Sequence, residues 1–496
     1  MAMPIHFMLN DRVVLTEAPE GLLVLDYLRQ RARLTGTKEG CKEGDCGACT
    51  VLIGELGQDG RVRYMPVTSC LVPLGELHGK HLVTVEGLTV GRPGACELKN
   101  PVQREMAACG GTQCGYCTPG FVVSMSWYML GSPDATPDHE GMKQAISGNL
   151  CRCTGYRSIK EAGRHVVDAF CKGGEYEALW SAPDRVAALV DAGLLPGYLK
   201  DASAQLARIQ PAAAPDHAVE LNLADYVIAG GTDLYVQRGE HLPESRVHVL
   251  GKVTPPELKG VRRVNDHIEI GALTTFEELS HDPIILEHFP DIQDYMFLIA
   301  SLQIRNRATL SGNIINASPI GDMSIFLLGM DARLVLRRAC AERTIPMREL
   351  YLGYKKLDKM KDELLVKIEL PTPAPNTKIS FEKVSKRKCL DIATVNSAAL
   401  LRASHDGQTF EQACLSVGGV APIPLQLTRT AAALVGQPLT VETVRAALDV
   451  AQGEIAPISD VRGSAEYKRL LTRQLLIAHF TKSFPDQLPL GALLDA

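Results

Sequence analysis

The chain is 496 residues long, enough for about three or four domains of ordinary size. Its 46% hydrophobic and 22% charged content suits a globular protein with ample core, and a net charge of −5 argues against a nucleic-acid partner, which would want a basic face. MAMPIHFMLNDRVVL has no basic region leading into a long apolar run, and no segment reaches the roughly 18 apolar residues that span a bilayer, so a cytoplasmic protein without a membrane partner is expected.

Residues 1–90 read as short strands around one helix. IHFMLN and RVVLTE form a hairpin across Asp11, LLVLDYLRQR the helix, and CTVLIGEL and HLVTVEG further strands. Eleven of the fourteen cysteines lie in residues 41–171, and in a cytosolic chain such clustering means metal or redox chemistry more often than disulfides. Cys41-x4-Cys46-x2-Cys49, with Cys70 further on, is the plant-type [2Fe–2S] spacing. Gly40, Gly44 and Gly47 are expected in conformations closed to residues with side chains, so that backbone N–H groups turn toward sulfur. The alternative is a structural zinc site, although zinc ligands usually come as two C-x2–4-C pairs.

Residues 91–173 read as helices. Asn100-Pro101 with Gln103 gives an N-cap, a first-turn proline and a capping-box partner. Thr118-Pro119 opens an apolar, buried helix; a third runs from near Asp138 to Gly148 and a fourth follows Ser158. GGTQCGYCTPG supplies Cys114 and Cys117, and GNLCRCTGY supplies Cys151 and Cys153. Cys117 falls at a helix N-terminus, which favours a thiolate. The spacing gives four-thiolate ligation and leaves iron–sulfur and zinc both open.

Residues 174–215, rich in Ala and Pro, read as an interdomain linker with one helix around DRVAALVDAGLL. From 216 to 372 strands alternate with helices (DYVIAGGTDLYVQ, HIEIGALTTFEEL, ARLVLRR, DELLVKIELP), and Thr275 with Glu278 makes a capping box. The strand–glycine turn–helix YVIAGGTDLYV can present amides to a phosphate, a weak pattern without G-x-G-x-x-G. Residues 303–336, poor in charge and rich in Gly, Asn and Ser, read as a ligand loop. Residues 378–490 begin with strands (KISFEKVS, ATVNSAALLR, ACLSVGGVAP) and end with amphipathic helices. The histidines show no metal spacing, KKLDKMKDE reads as a solvated charge run, and Cys96, Cys109, Cys171, Cys340, Cys389 and Cys414 read as buried small hydrophobes.

PVQREMAACGGTQCGYCTPGFVVSM and ISGNLCRCTGYRSI resemble the helical [2Fe–2S] domain of the molybdenum hydroxylase (xanthine oxidase) family, and the first cysteine set resembles its ferredoxin-like domain. The resemblance implies an α+β multidomain chain: a β-grasp ferredoxin-like domain, a four-helix [2Fe–2S] domain, an α+β FAD-binding domain of the vanillyl-alcohol-oxidase type and an α+β flavoprotein C-terminal domain. It implies that Cys41, Cys46, Cys49 and Cys70 hold one cluster, that Cys114, Cys117, Cys151 and Cys153 hold the other, and that Gln113 contacts the pterin of a partner. Val227, Ile228, Ala229, Gly230, Gly231, Thr232, Asp233 and Leu234 would hold the FAD pyrophosphate, with Thr309, Ser311, Gly312, Asn313 and Asp322 approaching the dinucleotide and Leu365 near the flavin. Tyr354 matches a region near the nicotinamide-nucleotide entrance. Ser311-Gly312 replaces a frequent Gly-Gly, and Thr394 stands where some members carry a flavin-contacting lysine.

The implied function is electron transfer from a molybdenum-cofactor large subunit through two clusters to FAD and NAD⁺, in an α2β2 or larger assembly that oxidises hypoxanthine and xanthine to urate. An aldehyde, nicotinate or another N-heterocycle is the alternative substrate. A zinc-bound scaffold is the reading from a different class.

Overall fold

The computed structural model describes residues 4–90, 100–209, 221, 223–252 and 255–494. Cys96 and residues 210–215 of the expected linker lie outside them. The chain forms two compact units, Met1–Val253 with Ser301–Ala308, and Thr254–Ala300 with Thr309–Ala496.

The first unit opens with strands β1 (Ile5–Leu9), β2 (Arg12–Thr16), β3 (Thr50–Leu56), β4 (Val62–Thr68) and β5 (His81–Val83), in the order β2-β1-β5-β3-β4. β1 and β5 are parallel, and the other pairs antiparallel. A helix, Val24–Asp26, continues as a π turn, Tyr27–Arg31, and buries Val24 and Leu28 against Phe7, Val51 and Ile53. This is the β-grasp arrangement. β4 escaped the sequence reading because Pro66 interrupts its pattern. Proline is tolerated there because β4 is an outer strand, and the Pro66 carbonyl accepts from Asn306 Nδ2 at 2.9 Å.

Helices α1 (Pro101–Ala108), α2 (Thr118–Gly131), α3 (His139–Ala145) and α4 (Arg157–Phe170) follow, and α2 is buried almost throughout. Asn100 caps α1 as expected, accepting from the amides of Val102 and Gln103. The Gln103 side chain does not close a capping box; it donates to Thr89 Oγ1. Residues 177–206 are not an open tether. They form α5 (Glu177–Trp180), α6 (Arg185–Asp191) and α7 (Tyr198–Leu206), whose Trp180, Leu189 and Leu199, with Leu194 and Leu195 between them, join the core of Phe121, Met125 and Phe170. The unit ends with β6 (Tyr226–Ile228), α8 (Leu234–Arg238) and β7 (Val247–Val249), the two strands pairing in parallel.

The second unit holds an antiparallel sheet of β8 (Val261–Val264), β9 (His267–Gly271), β10 (Arg333–Arg338), β11 (Ala341–Pro346) and β12 (Leu364–Pro371), ordered β11-β10-β12-β9-β8. The Thr275–Glu278 capping box opens α9 (Phe276–His281) as expected. Much of the expected ligand loop is helical. Thr309 caps α10 (Leu310–Asn316), and α11 (Asp322–Gly329) is buried on nearly every face. An antiparallel sheet of β13 (Lys378–Val384), β14 (Val395–Ala403), β15 (Phe410–Gly418) and β16 (Leu425–Gln426) packs with α12 (Val441–Glu454) and α13 (Ala465–Ser483) around Phe410 and Phe480.

Two residue readings change. The run KKLDKMKDE is not merely solvated, because Arg343 pairs with Asp358 at 2.8 Å and with Glu363 at 2.7 Å, and Glu363 is buried. Of the cysteines set aside, Cys414 is buried, Cys109, Cys171 and Cys389 are half-buried, and Cys340 is exposed on the turn after β10. Among the described residues no helix is long and apolar enough to cross a membrane.

Candidate metal centres and nucleotide loop

Cys41, Cys46 and Cys49 lie on the loop leading into β3, and Cys70 follows β4 on a 3-10 turn, Ser69–Leu71. The sulfurs of Cys49 and Cys70 stand 3.3 Å apart, and the thiols of Cys41 and Cys46 are hydrogen-bonded to each other. Two thiolates on one tetrahedral metal, with bonds of about 2.3 Å, are ~3.7 Å apart. The Cys49–Cys70 pair is therefore near the spacing that ligands of a common metal need. Glu43 N donates to Cys41 Sγ at 3.4 Å. The Cys46 thiol and then the amides of Glu43, Cys46 and Asp45 hold Cys41 down to about 5 against the effect of burial. Cys49 is lowered chiefly by the Cys70 thiol, and Cys70 is raised in return.

Gly44 (φ +81°) and Gly47 (φ +65°) adopt the left-handed conformations expected of them. Gly40 does not. It is needed for space, since a Cβ there would stand 2.6 Å from Cys46 Sγ.

The second set joins two loops. Cys114 precedes α2, Cys117 caps it, and Cys151 and Cys153 sit between α3 and α4. Cys114 and Cys153 sulfurs lie 3.6 Å apart, Cys117 bonds Cys151, and Thr154 N donates to Cys151 Sγ at 3.4 Å. Contrary to the helix-dipole expectation, Cys117 is pushed up to about 12 by burial and then by Cys151. Cys151 is the lowered member: burial opposes, but the Thr154 hydroxyl and amide prevail. Gln113, Cys114 and Cys153 are exposed together on the outer side. The paired thiols and sulfur-directed amides of both sets suit an anionic iron–sulfur cluster.

The two cysteine loops touch. Leu150 N donates to the Cys46 carbonyl at 2.9 Å, and Asn149 Nδ2 to the Gly47 carbonyl at 3.0 Å. Asn149 Oδ1 in turn accepts from Ser124 Oγ at 2.8 Å and Gln303 Nε2 at 3.2 Å. On the far side of the first set, Cys49, Cys70 and Leu71 share a core with Ile228 and Tyr235, which flank the glycine turn after β6. Gly231 (φ +77°) sits where a Cβ would be 3.2 Å from the Leu71 carbonyl, and a Cβ on Gly230 would stand 2.0 Å from the Arg307 carbonyl. Buried Arg307 pairs with Glu76 and donates from Nη2 to the Gly230 carbonyl at 2.9 Å. Sequence reasoning missed Arg307, whose carboxylate partner lies 231 residues away in the chain.

Within this turn Ile228 and Gly230 are buried, Ala229, Gly231, Thr232 and Leu234 half-buried, and Val227 and Asp233 exposed. The strand–glycine turn–helix order expected from the sequence is present, with β6 leading through the close-packed glycines into α8.

In the second unit Thr309 Oγ1 accepts from Gly312 N at 3.1 Å. Ser311 lies inside helical α10, so its side chain costs no positive φ. Asn313 Oδ1 accepts from Ser324 N at 2.9 Å. The Asp322 carboxylate takes Lys383 Nζ at 2.8 Å and Asn396 Nδ2 at 2.6 Å. Leu365 is buried on β12, Tyr354 is 68% exposed in a hairpin turn, and Thr394 is buried with its hydroxyl on the Arg462 carbonyl at 3.4 Å.

The chain matches the 2Fe-2S iron-sulfur cluster binding domain over residues 7–74 and the [2Fe-2S] binding domain over 84–164. It matches the FAD binding domain in molybdopterin dehydrogenase over 212–373 and the CO dehydrogenase flavoprotein C-terminal domain over 380–483. Xanthine dehydrogenase of Drosophila subobscura is 28% identical over 95% of this chain and 38% of its own length. Xanthine dehydrogenase 1 of Arabidopsis thaliana is 28% identical over 95% of this chain and 39% of its own. The chain thus spans about two fifths of the length of these curated relatives. Among solved structures, a chain of the Cu,Mo-CO dehydrogenase in its cyanide-inactivated form is 28% identical, with a TM-score of 0.50 over 54% of this chain and 94% of that one. Fold and thiol geometry define an iron–sulfur flavoprotein. The chain belongs to the molybdenum hydroxylase family and corresponds to its iron–sulfur/FAD part.

Proposed function

We propose that this chain is the electron-transfer subunit of an NAD⁺-dependent xanthine dehydrogenase, a cytoplasmic α2β2 or larger assembly whose partner carries the molybdenum cofactor and oxidises hypoxanthine and xanthine to urate. The carrying observation is the contiguity of the first unit: an exposed cysteine pair, a second pair behind it, the Leu150–Cys46 hydrogen bond, the first cysteine set, and the glycine turn against Leu71. Cys41, Cys46, Cys49 and Cys70 would hold one [2Fe–2S] cluster, and Cys114, Cys117, Cys151 and Cys153 the other. The segments Val227–Leu234 and Thr309–Asp322, with Leu365, would hold FAD. Single-electron relay is what such clusters supply, and pairing of electrons for hydride transfer is what FAD supplies. Gln113, exposed beside Cys114, would meet the partner's pterin, and Tyr354 would face the nicotinamide nucleotide.

The chain purified alone should carry four irons and one FAD and reduce a dye with NADH, yet leave xanthine untouched. The complex with its partner should oxidise xanthine. Zinc in place of iron, or no flavin in any preparation, overturns the reading.

A further inference from the structure

Helices α1 and α4 each bring an i, i+4 pair to one place on the helical domain. Glu105 and Cys109 come from α1 and the residue capping it, and Glu161 and His165 from α4. Cys109 Sγ lies 3.4 Å from His165 Nδ1, which lies 3.1 Å from Glu105 Oε2. These three atoms all fall within 4.8 Å of one another. We propose that Glu105, Cys109 and His165 form a binding site for a borderline-soft divalent cation of the zinc class, separate from the two four-cysteine centres.

The chemistry of the ligands and their spacing carry the proposal. Bonds of 2.0–2.3 Å about a tetrahedral ion put ligand atoms about 3.3–3.8 Å apart, and the two measured separations are within a few tenths of an ångström of that range. Thiolate, imidazole and carboxylate are a zinc ligand set that leaves one coordination position for water. The ligands are oriented from outside. Arg104 Nε holds the other Glu105 oxygen at 3.1 Å, and Arg164 Nη2 holds Glu161 at 3.2 Å. Glu161 Oε1 in turn lies 3.7 Å from His165 Nε2.

Without an ion, Arg164 Nη2 faces His165 Nε2 at 3.0 Å, which leaves the ring proton on Nδ1 toward Glu105. Binding moves that proton to Nε2, where Glu161 accepts it, and Arg164 keeps its 2.9 Å bond to Asp168. The thiol proton goes to solvent, so each ion bound releases one proton. The ion would clamp α1 to α4 just ahead of the loop that carries Cys114 and Cys117.

The test uses the full cluster-loaded chain and Zn²⁺ itself. Equilibrium dialysis with metal analysis should find one zinc beyond the four irons, and zinc-edge X-ray absorption should show a shell of one sulfur with the rest nitrogen or oxygen. Cys109→Ser and His165→Gln should each weaken zinc at least tenfold while the cluster spectrum is retained. A four-sulfur zinc shell, zinc binding unchanged in both variants, or no stoichiometric zinc overturns the proposal. Should either variant fail to fold, the wild-type ligand shell decides alone.

Discussion

Gly47 shows how much of the site hangs on single residues. Its φ of +65° excludes most side chains, and a Cβ would lie 2.4 Å from the Gly148 carbonyl. Gly47→Ala should therefore open the first cysteine loop, and iron analysis should fall from four atoms per chain toward two. Arg307 is a comparable point. Truncating it to Ala leaves buried Glu76 with only the Lys80 ammonium at 3.3 Å, so the loss should fall below the about 3–5 kcal/mol of a buried pair broken outright, and urea unfolding should show it. Replacing both partners by apolar residues of similar volume, Glu76→Leu with Arg307→Met, should recover most of that loss. The cysteines were legible in the sequence because ligand spacing is a local property. Arg307 and His165 were not, because their partners sit 231 and 56 residues away and only the fold brings them together.

At the scale of elements, composition misled where packing decided. The Ala- and Pro-rich stretch after residue 174 lacks a long periodic run, yet Trp180 is 4% exposed, donates from Nε1 to the Asp134 carbonyl at 3.1 Å, and lies under the Arg185 guanidinium at 4.1 Å. A linker would tolerate Trp180→Ala. Here the substitution should destabilise the helical domain by about 3–5 kcal/mol, seen as loss of the second cysteine centre's iron at lower urea than in the parent chain. The reverse misreading occurred after Gln303, where low charge and many Asn and Ser residues suggested a loop. Thr309 turns that composition into a capped helix, and α11 needs few charges because it is buried. The strand that was missed, β4, carries a proline that only its outer position permits.

At the scale of the whole molecule, each unit contains a fully buried histidine that its surroundings hold neutral, His81 in the first and His479 in the second. In the first unit His81 Nε2 donates to the Asn10 carbonyl at 2.9 Å, so Nδ1, 2.9 Å from the Tyr64 hydroxyl, is its acceptor. Burial pushes it down to about 4. In the second unit His479 sits between Ser380 Oγ at 2.5 Å and Ser397 Oγ at 3.0 Å, and burial pushes it down to about 3. Both folded values lie below the ordinary 6.5, so the unfolded chain binds protons that the folded chain refuses. Stability from each is therefore fully present above pH 6.5 and is lost as the pH falls toward 4 and 3 respectively. Between pH 6.5 and 5.0, above most carboxylate titrations, each histidine should cost about 2 kcal/mol. Urea midpoints of the cluster-loaded chain, followed by circular dichroism across that window, should fall accordingly. His81→Gln and His479→Gln, each of which removes one titrating ring, should flatten the slope by about that amount relative to the parent chain measured at the same pH. An unchanged slope would mean that these rings accept protons in place, and that both hydrogen-bond networks rearrange rather than resist.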